Sequence, residues 1–235
     1  MTRFFHGAAT STGRVRRVNE DSYLAAPPIF AVADGMGGHD AGEVASAVAI
    51  DVLARYARGG PLSVDAVLAA LDEANRAVIG RDEAHRMGTT VTGLASLVTQ
   101  AGSQVMVFNV GDSRVYRLAG DQFGQLTVDH SEVQELVLSG AITPEQARIH
   151  PRRNIVTRAL GSDFVVRPDH WLLPPLAGDR YLVCSDGLTG ELTDEEILPL
   201  LLAGDPQQAA AALVAAADEA GGHDNTTVIV VDVAG

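Results

Sequence analysis

The chain has 235 residues, 46% hydrophobic, 20% charged and 5% aromatic, with 30 acidic against 17 basic side chains. That is ample for a real core, and it excludes disorder, collagen-like repeats and low-complexity designs. A formal charge of −13 argues against nucleic-acid and anionic membrane partners, whose phosphates would repel it. Every basic residue is an arginine, which excludes Schiff-base and P-loop lysine chemistry. The lone cysteine, Cys184, excludes an internal disulfide and a cysteine metal cluster, and fits a reducing compartment. No apolar run approaches the roughly 20 residues of a membrane span, and no basic-then-apolar leader opens the chain. A cytoplasmic protein is expected.

In chain order, a short run at 22–24 precedes a strand at 29–33 rich in apolar residues. Helical periodicity covers 41–58, closed by Gly59, and 64–86. Residues 90–98, 105–110 and 114–118 then read as a three-strand antiparallel meander. Ala101-Gly102-Ser103 is its hairpin loop and Gly111-Asp112 its second, tight link. Capping boxes at Ser131 with Gln134 and at Thr143 with Gln146 start two short helices. Pro144 sits at the first position of the second, and Gly140 stops the first. A strand at 181–184 follows. A third box, Thr193 with Glu196, opens a helix at 194–202, a further helix covers 206–220, and a strand at 226–233 ends the chain. Strands and long helices in separate blocks indicate layered α+β architecture, not a doubly wound sheet. No Pro-, Ser- or Gly-rich linker interrupts the chain, so one domain over 1–235 is expected.

Three segments share one design, an apolar strand that ends in aspartate: Phe30-Ala-Val-Ala-Asp34-Gly35, Val107-Phe-Asn-Val-Gly-Asp112 and Tyr181-Leu-Val-Cys-Ser-Asp186-Gly187. Asp224 precedes the last strand, and Asp21 precedes the run at 22–24. Any one of these is an ordinary turn or cap residue. If the strands are neighbours, up to five carboxylates converge at one end of the core. They cannot all ionise there without compensation, so either some stay protonated or cations sit between them. An all-oxygen donor set selects hard ions, Mg²⁺ or Mn²⁺, and disfavours zinc.

Six motifs in order, Arg16-Arg-Val-Asn-Glu20-Asp21, Val32-Ala-Asp34-Gly35-Met-Gly-Gly-His39, Met87-Gly-Thr-Thr90, Gly111-Asp-Ser-Arg114, Cys184-Ser-Asp186-Gly187 and Gly222-His-Asp224-Asn225, resemble those of the metal-dependent protein phosphatases (PPM, type 2C) in their bacterial form. The resemblance runs from about residue 13 to 233. It implies a four-layer α-β-β-α sandwich of two antiparallel sheets flanked by helices. It implies that Asp34 bridges two Mn²⁺ or Mg²⁺ ions, with the Gly35 carbonyl on one and Asp186 and Asp224 on the other. Asp21 would join the same cluster with Glu20 behind it, and Asp112 with Asp186 would offer a weaker third site. Arg16 would hold the substrate phosphate and His39 would protonate the leaving alkoxide.

The activity so implied is hydrolysis of phosphoserine and phosphothreonine in proteins by a water activated between two divalent ions. Its partners would be phosphorylated proteins, including bacterial Ser/Thr kinases and their substrates, and a monomer is expected. A phosphoprotein-binding pseudophosphatase and a small-molecule phosphoesterase are the alternatives. Residues 131–161 resemble the family's flap beside the active site. Cys184 reads as core packing, because Gly190 stands where a cysteine phosphatase needs its arginine. Arg114 reads as one half of an ion pair that steadies its strand turn.

Overall fold

The computed structural model describes residues 2–37, 41–81, 86–99 and 102–235. Among these residues, eleven strands and seven helices alternate in blocks. The first block is β1 (Arg3–Ser11), β2 (Asp21–Ala26), β3 (Ile29–Gly37), α1 (Ala41–Arg58) and α2 (Val64–Ile79). Next come β4 (Met87–Thr89), β5 (Val91–Thr99), β6 (Gly102–Val110), β7 (Arg114–Ala119), β8 (Gln122–Gln125), α3 (Glu132–Leu138) and α4 (Pro144–Arg148). The last block is β9 (Asp169–Leu173), β10 (Arg180–Cys184), α5 (Asp186–Glu191), α6 (Asp194–Leu201), α7 (Pro206–Ala220) and β11 (Thr226–Ala234).

The strands form two antiparallel sheets, one in the order β1-β11-β10-β7-β8, the other β2-β3-β5-β6-β9 with β4 added beside β3. Alternation of side chains then fixes three cores. Phe30, Val32, Val107, Val115, Val183 and Ile229 fill the space between the sheets. The opposite faces of β3, β5 and β6 pack Ala31, Met106 and Phe108 against α1 and α2. On the far side Tyr116, Leu182 and Val228 meet Leu188, Ile197 and Leu213 of α5, α6 and α7. The result is the four-layer α-β-β-α sandwich, its central strands buried on both faces.

The structure corrects the meander. β5 and β6 do pair, but Gly102 and Ser103 belong to β6, opposite Thr99 and Val98, and Ala101 lies outside the described residues. β7 does not pair with β6 at all; it joins the other sheet, between β10 and β8. Residues 111–113 therefore carry the chain across the sandwich. Three residues can span about 10 Å, the usual distance between packed sheets. The sequence alone does not separate a hairpin from this crossing, because β6 and β7 are apolar on both faces. Helix α2 also stops at Ile79, capped by Gly80, short of the expected residue 86.

Four further strands escape sequence reading: β1, the short β4 and β8, and β9. β1 is an edge strand, and a side chain covers that edge: Gln207 of α7 accepts from Ala8 N–H and donates to Ala8 C=O. Helix α7 owes its start to a full capping box. Asp205 accepts from Gln208 N–H at 2.9 Å, while the Gln208 side chain accepts from Asp205 N–H at 3.1 Å. Asp205→Ala removes one half of that exchange and is expected to lower unfolding stability by about 1 kcal/mol, read in a urea titration.

Candidate functional site

The topology brings the five aspartates to one end of the sandwich. Asp21 begins β2 and Asp34 lies directly opposite it in β3. Asp112 sits in the crossing after β6. Asp186 is the first residue of α5, immediately after β10, and Asp224 leads into β11. Because neighbouring strands run in opposite directions, these starts and ends share one edge. His39 lies outside the described residues, as does His85.

Backbone interactions hold the carboxylates in place. Asp34 N–H donates to Thr90 Oγ1 at 3.0 Å, and Asp34 C=O accepts from Thr90 N–H and Thr89 Oγ1, both at 2.9 Å. Thr90 Oγ1 also pairs with Ser113 Oγ at 2.8 Å, which couples Asp34 to the Asp112 turn. Ser185 Oγ donates to Asp21 Oδ2 at 2.8 Å. Gly35 must be glycine for packing: a Cβ there would lie 2.0 Å from Gly42 O, at the start of α1, and 2.7 Å from Glu20 O. Asn225 Oδ1 accepts from Glu20 N–H. The motif glycines and amides thus serve the protein's own close contacts around the carboxylates.

Electrostatically the cluster is strained. Burial first, then the repulsion of Asp21, Asp186 and Asp112, pushes Asp34 well above the ordinary carboxylate range. Asp112 rises in the same way, through burial and then Asp186 and Asp129. Burial raises Asp21 to about 7, opposed by hydrogen bonds from Thr227 and Ser185. Asp186 is raised by burial and by Asp224, while a hydrogen bond from the Asp34 carboxyl opposes the rise. Burial and mutual repulsion thus favour the protonated form across Asp34 and Asp186. The guanidinium of Arg16 donates to Asp224 at 2.7 Å, the one cation in contact with these five carboxylates among the described residues.

Buried oxygens at Asp21 Oδ1 and Asp186 Oδ1 have no hydrogen-bond donor. Unpaired carboxylate oxygens in a repelling cluster, with no sulfur or imidazole beside them among the described residues, are the donor set of a hard divalent cation. Among the described residues no three His, Cys, Asp or Glu side chains already form a preformed metal cage; Arg16 engages Asp224 and Ser185 engages Asp21. The donor chemistry fits Mn²⁺ or Mg²⁺, and the carboxylates would have to close around the ion.

A model of the protein phosphatase 2C family matches residues 10–216 of this chain. The chain belongs to the protein phosphatase 2C family. It is 42% identical over 202 residues to the serine/threonine protein phosphatase PstP of Mycobacterium tuberculosis, matching 83% of this chain but spanning only 38% of that relative's length. It is 39% identical over 207 residues to the serine/threonine phosphatase stp of Listeria innocua, covering 82% of this chain and 81% of that one. The catalytic domain of PstP, solved in complex with two manganese ions, superposes with a TM-score of 0.90 at 37% identity over 100% of both chains.

Sequence reasoning missed His130. This buried imidazole accepts from Gly111 N–H through Nδ1 at 3.0 Å, and its Nε2 faces Asp169 Oδ2 at 3.2 Å. Arg158 Nη1 also lies 2.9 Å from Nε2, and burial lowers the imidazole's pKa, which suits a neutral ring. It anchors the Asp112 crossing to the start of α3, and the only sequence signal is its place just before the Ser131 cap. From residue 156 the 131–161 segment returns to the cluster: Leu160 exchanges two backbone hydrogen bonds with Thr89. Arg114 forms the expected ion pair, a fork on Asp129. Cys184 is fully buried, with its thiol pushed up to about 12 by burial.

The raised carboxylates set a direction of pH dependence. Folded-state values above the unfolded ones mean that the cluster's contribution to stability in a chelating buffer is expected to fall as pH rises from about 4 toward 7 and beyond. Asp34→Asn removes one repelling charge. It should raise the melting temperature at pH 8 and leave it nearly unchanged at pH 4.

Proposed function

We propose that this chain is a metal-dependent protein serine/threonine phosphatase that hydrolyses phosphoserine and phosphothreonine as one catalytic domain over 1–235. The observation that carries the reading is the convergence of five aspartates, two with undonated buried oxygens, in a chain of the protein phosphatase 2C family. The relatives named as serine/threonine phosphatases and the two manganese ions in the PstP structure support it. Asp34, Asp186, Asp224 and Asp21, with the Gly35 carbonyl, would hold two Mn²⁺ or Mg²⁺ ions, and Asp112 with Asp186 would support a third. Bound there, such ions supply positive charge and a water acidic enough to act as nucleophile near neutral pH.

The chain's own groups do the rest. Arg16 moves its guanidinium from Asp224 to the substrate phosphate, which it meets as a two-donor fork that neutralises the equatorial oxygens. His39 donates a proton to the serine or threonine oxygen, a poor leaving group when unprotonated. No side chain serves as nucleophile: Cys184, the chain's one thiol, is sealed in the core. The physiological partners are phosphorylated proteins, Ser/Thr kinases among them, met by a monomer in the cytoplasm. Among the described residues no helix is long and apolar enough to cross a membrane.

A phosphopeptide assay tests the assignment. EDTA should abolish phosphate release and Mn²⁺ or Mg²⁺ restore it, whereas full activity after exhaustive chelation would refute the metal. Asp186→Asn should nearly abolish turnover at any Mn²⁺ concentration, while Asp112→Ala should retain reduced activity and need more metal.

The roles of the two other residues separate by kinetics. Arg16→Ala should raise KM by roughly ten- to a hundredfold, the equivalent of a lost charge-assisted contact of about 1.5–3 kcal/mol. His39→Ala should cripple phosphopeptide hydrolysis yet spare p-nitrophenyl phosphate, whose phenolate leaves without a proton. Equal losses on both substrates would remove His39 from the acid role.

A further inference from the structure

The loop between β1 and β2 carries more positive charge than one phosphate requires. It reads Arg14-Val15-Arg16-Arg17-Val18, and all five residues are exposed. Arg16 faces Asp224. Arg14 and Arg17 make no ion pair among the described residues, as is also true of Arg3, Arg58, Arg81, Arg148, Arg153 and Arg167. What sets these two apart is that they flank Arg16 in one exposed loop, in a protein with 13 more acidic than basic side chains.

The loop is also held firmly. Asn225 Nδ2 donates to Thr12 C=O and to Val18 C=O, both at 3.0 Å, so one side chain clamps both ends. Arg14 N–H donates to Gly222 C=O at 2.7 Å. Gly13, at a φ of +74°, lies so close to the same turn that a Cβ would stand 2.5 Å from Asp224 O. The arginines are therefore fixed to the very segment that carries Asp224. Val15, 62% exposed, and Val18, 38% exposed, present apolar surface between them.

We propose that Arg14 and Arg17 form a recognition rim for peptide substrates that carry a second anionic side chain near the phosphorylated residue. The inference rests on the phosphatase reading of the adjoining site and adds the sequence context it prefers. Arg14 and Arg17 are three positions apart, at most about 10 Å of chain, so the second anion lies within a few residues of the phosphate that Arg16 takes. The interleaved valines suit a polypeptide, since a small phosphate ester would not reach them. At long range the net charge repels acidic peptides, so the preference is local and screened by salt.

The test uses the full chain with Mn²⁺ and three phosphoserine peptides, flanked by alanine, by aspartate or by a second phosphoserine. Phosphate release gives kcat/KM, and fluorescence anisotropy with non-hydrolysable phosphonate versions gives affinity. Wild type should favour the anionic peptides by about two- to tenfold at low salt, as two exposed ion pairs allow. That margin should close in high salt and in the Arg14→Gln/Arg17→Gln double variant. The variant should keep its rate on p-nitrophenyl phosphate and on the alanine-flanked peptide. Preference for both anionic peptides marks a general anion site, and preference for the doubly phosphorylated one alone marks a second phosphate site. Equal affinity for all three, or a margin that survives the double variant, overturns the rim. A margin in anisotropy without any hydrolysis leaves the rim standing and sinks the phosphatase reading instead.

Discussion

Mutual repulsion among half-buried aspartates at one edge of the sandwich is the constraint around which this protein is built. Asp21 and Asp34 face each other across a strand pair, an arrangement of like charges that destabilises a sheet. Burial then raises the carboxyl pKa values where solvent would have relaxed them. A fold selected for stability alone would place apolar or uncharged groups here. Keeping the charges means that something else must compensate them, and Arg16 and Ser185 do so only in part.

The rest of the architecture can be understood as the support for that edge. Two sheets packed face to face, each covered by helices, bury the central strands on both sides and give the aspartates a rigid floor. Polar contacts then fix their surroundings: Thr90 holds the Asp34 backbone, Ser113 and His130 hold the crossing that carries Asp112, and Asn225 ties the Asp224 turn to the β1–β2 loop. Oxygens of Asp21 and Asp186 are left without a donor. Stability is given up at the edge and recovered in the cores, a common division between functional sites and their scaffolds.

Much of this was legible in the sequence, for identifiable reasons. Helices α1 and α7 fall on the expected residues because their periodicity and terminal signals agree, and the strand-then-aspartate design marked Asp34, Asp112 and Asp186 before any geometry. What escaped was set by tertiary context. β1 holds Gly7 and alternates poorly, since it is an edge strand covered by Gln207. The crossing after β6 resembled a hairpin because doubly buried strands lose the alternation that would tell the two sheets apart. His130 carried no motif of its own. Its importance lies in a hydrogen bond to Gly111, nineteen positions away, and no local pattern encodes that.

A divalent cation that enters this cluster must displace the protons that burial and repulsion favour on its carboxyls. Isothermal titration of Mn²⁺ into the chelator-stripped protein, repeated in buffers of different ionisation enthalpy between pH 5.5 and 8, counts those protons directly. Binding is expected to release about one proton or more per chain, with the release falling as pH rises past the raised carboxyl values. Binding with no proton release at any of these pH values, or no binding at all, would contradict the account.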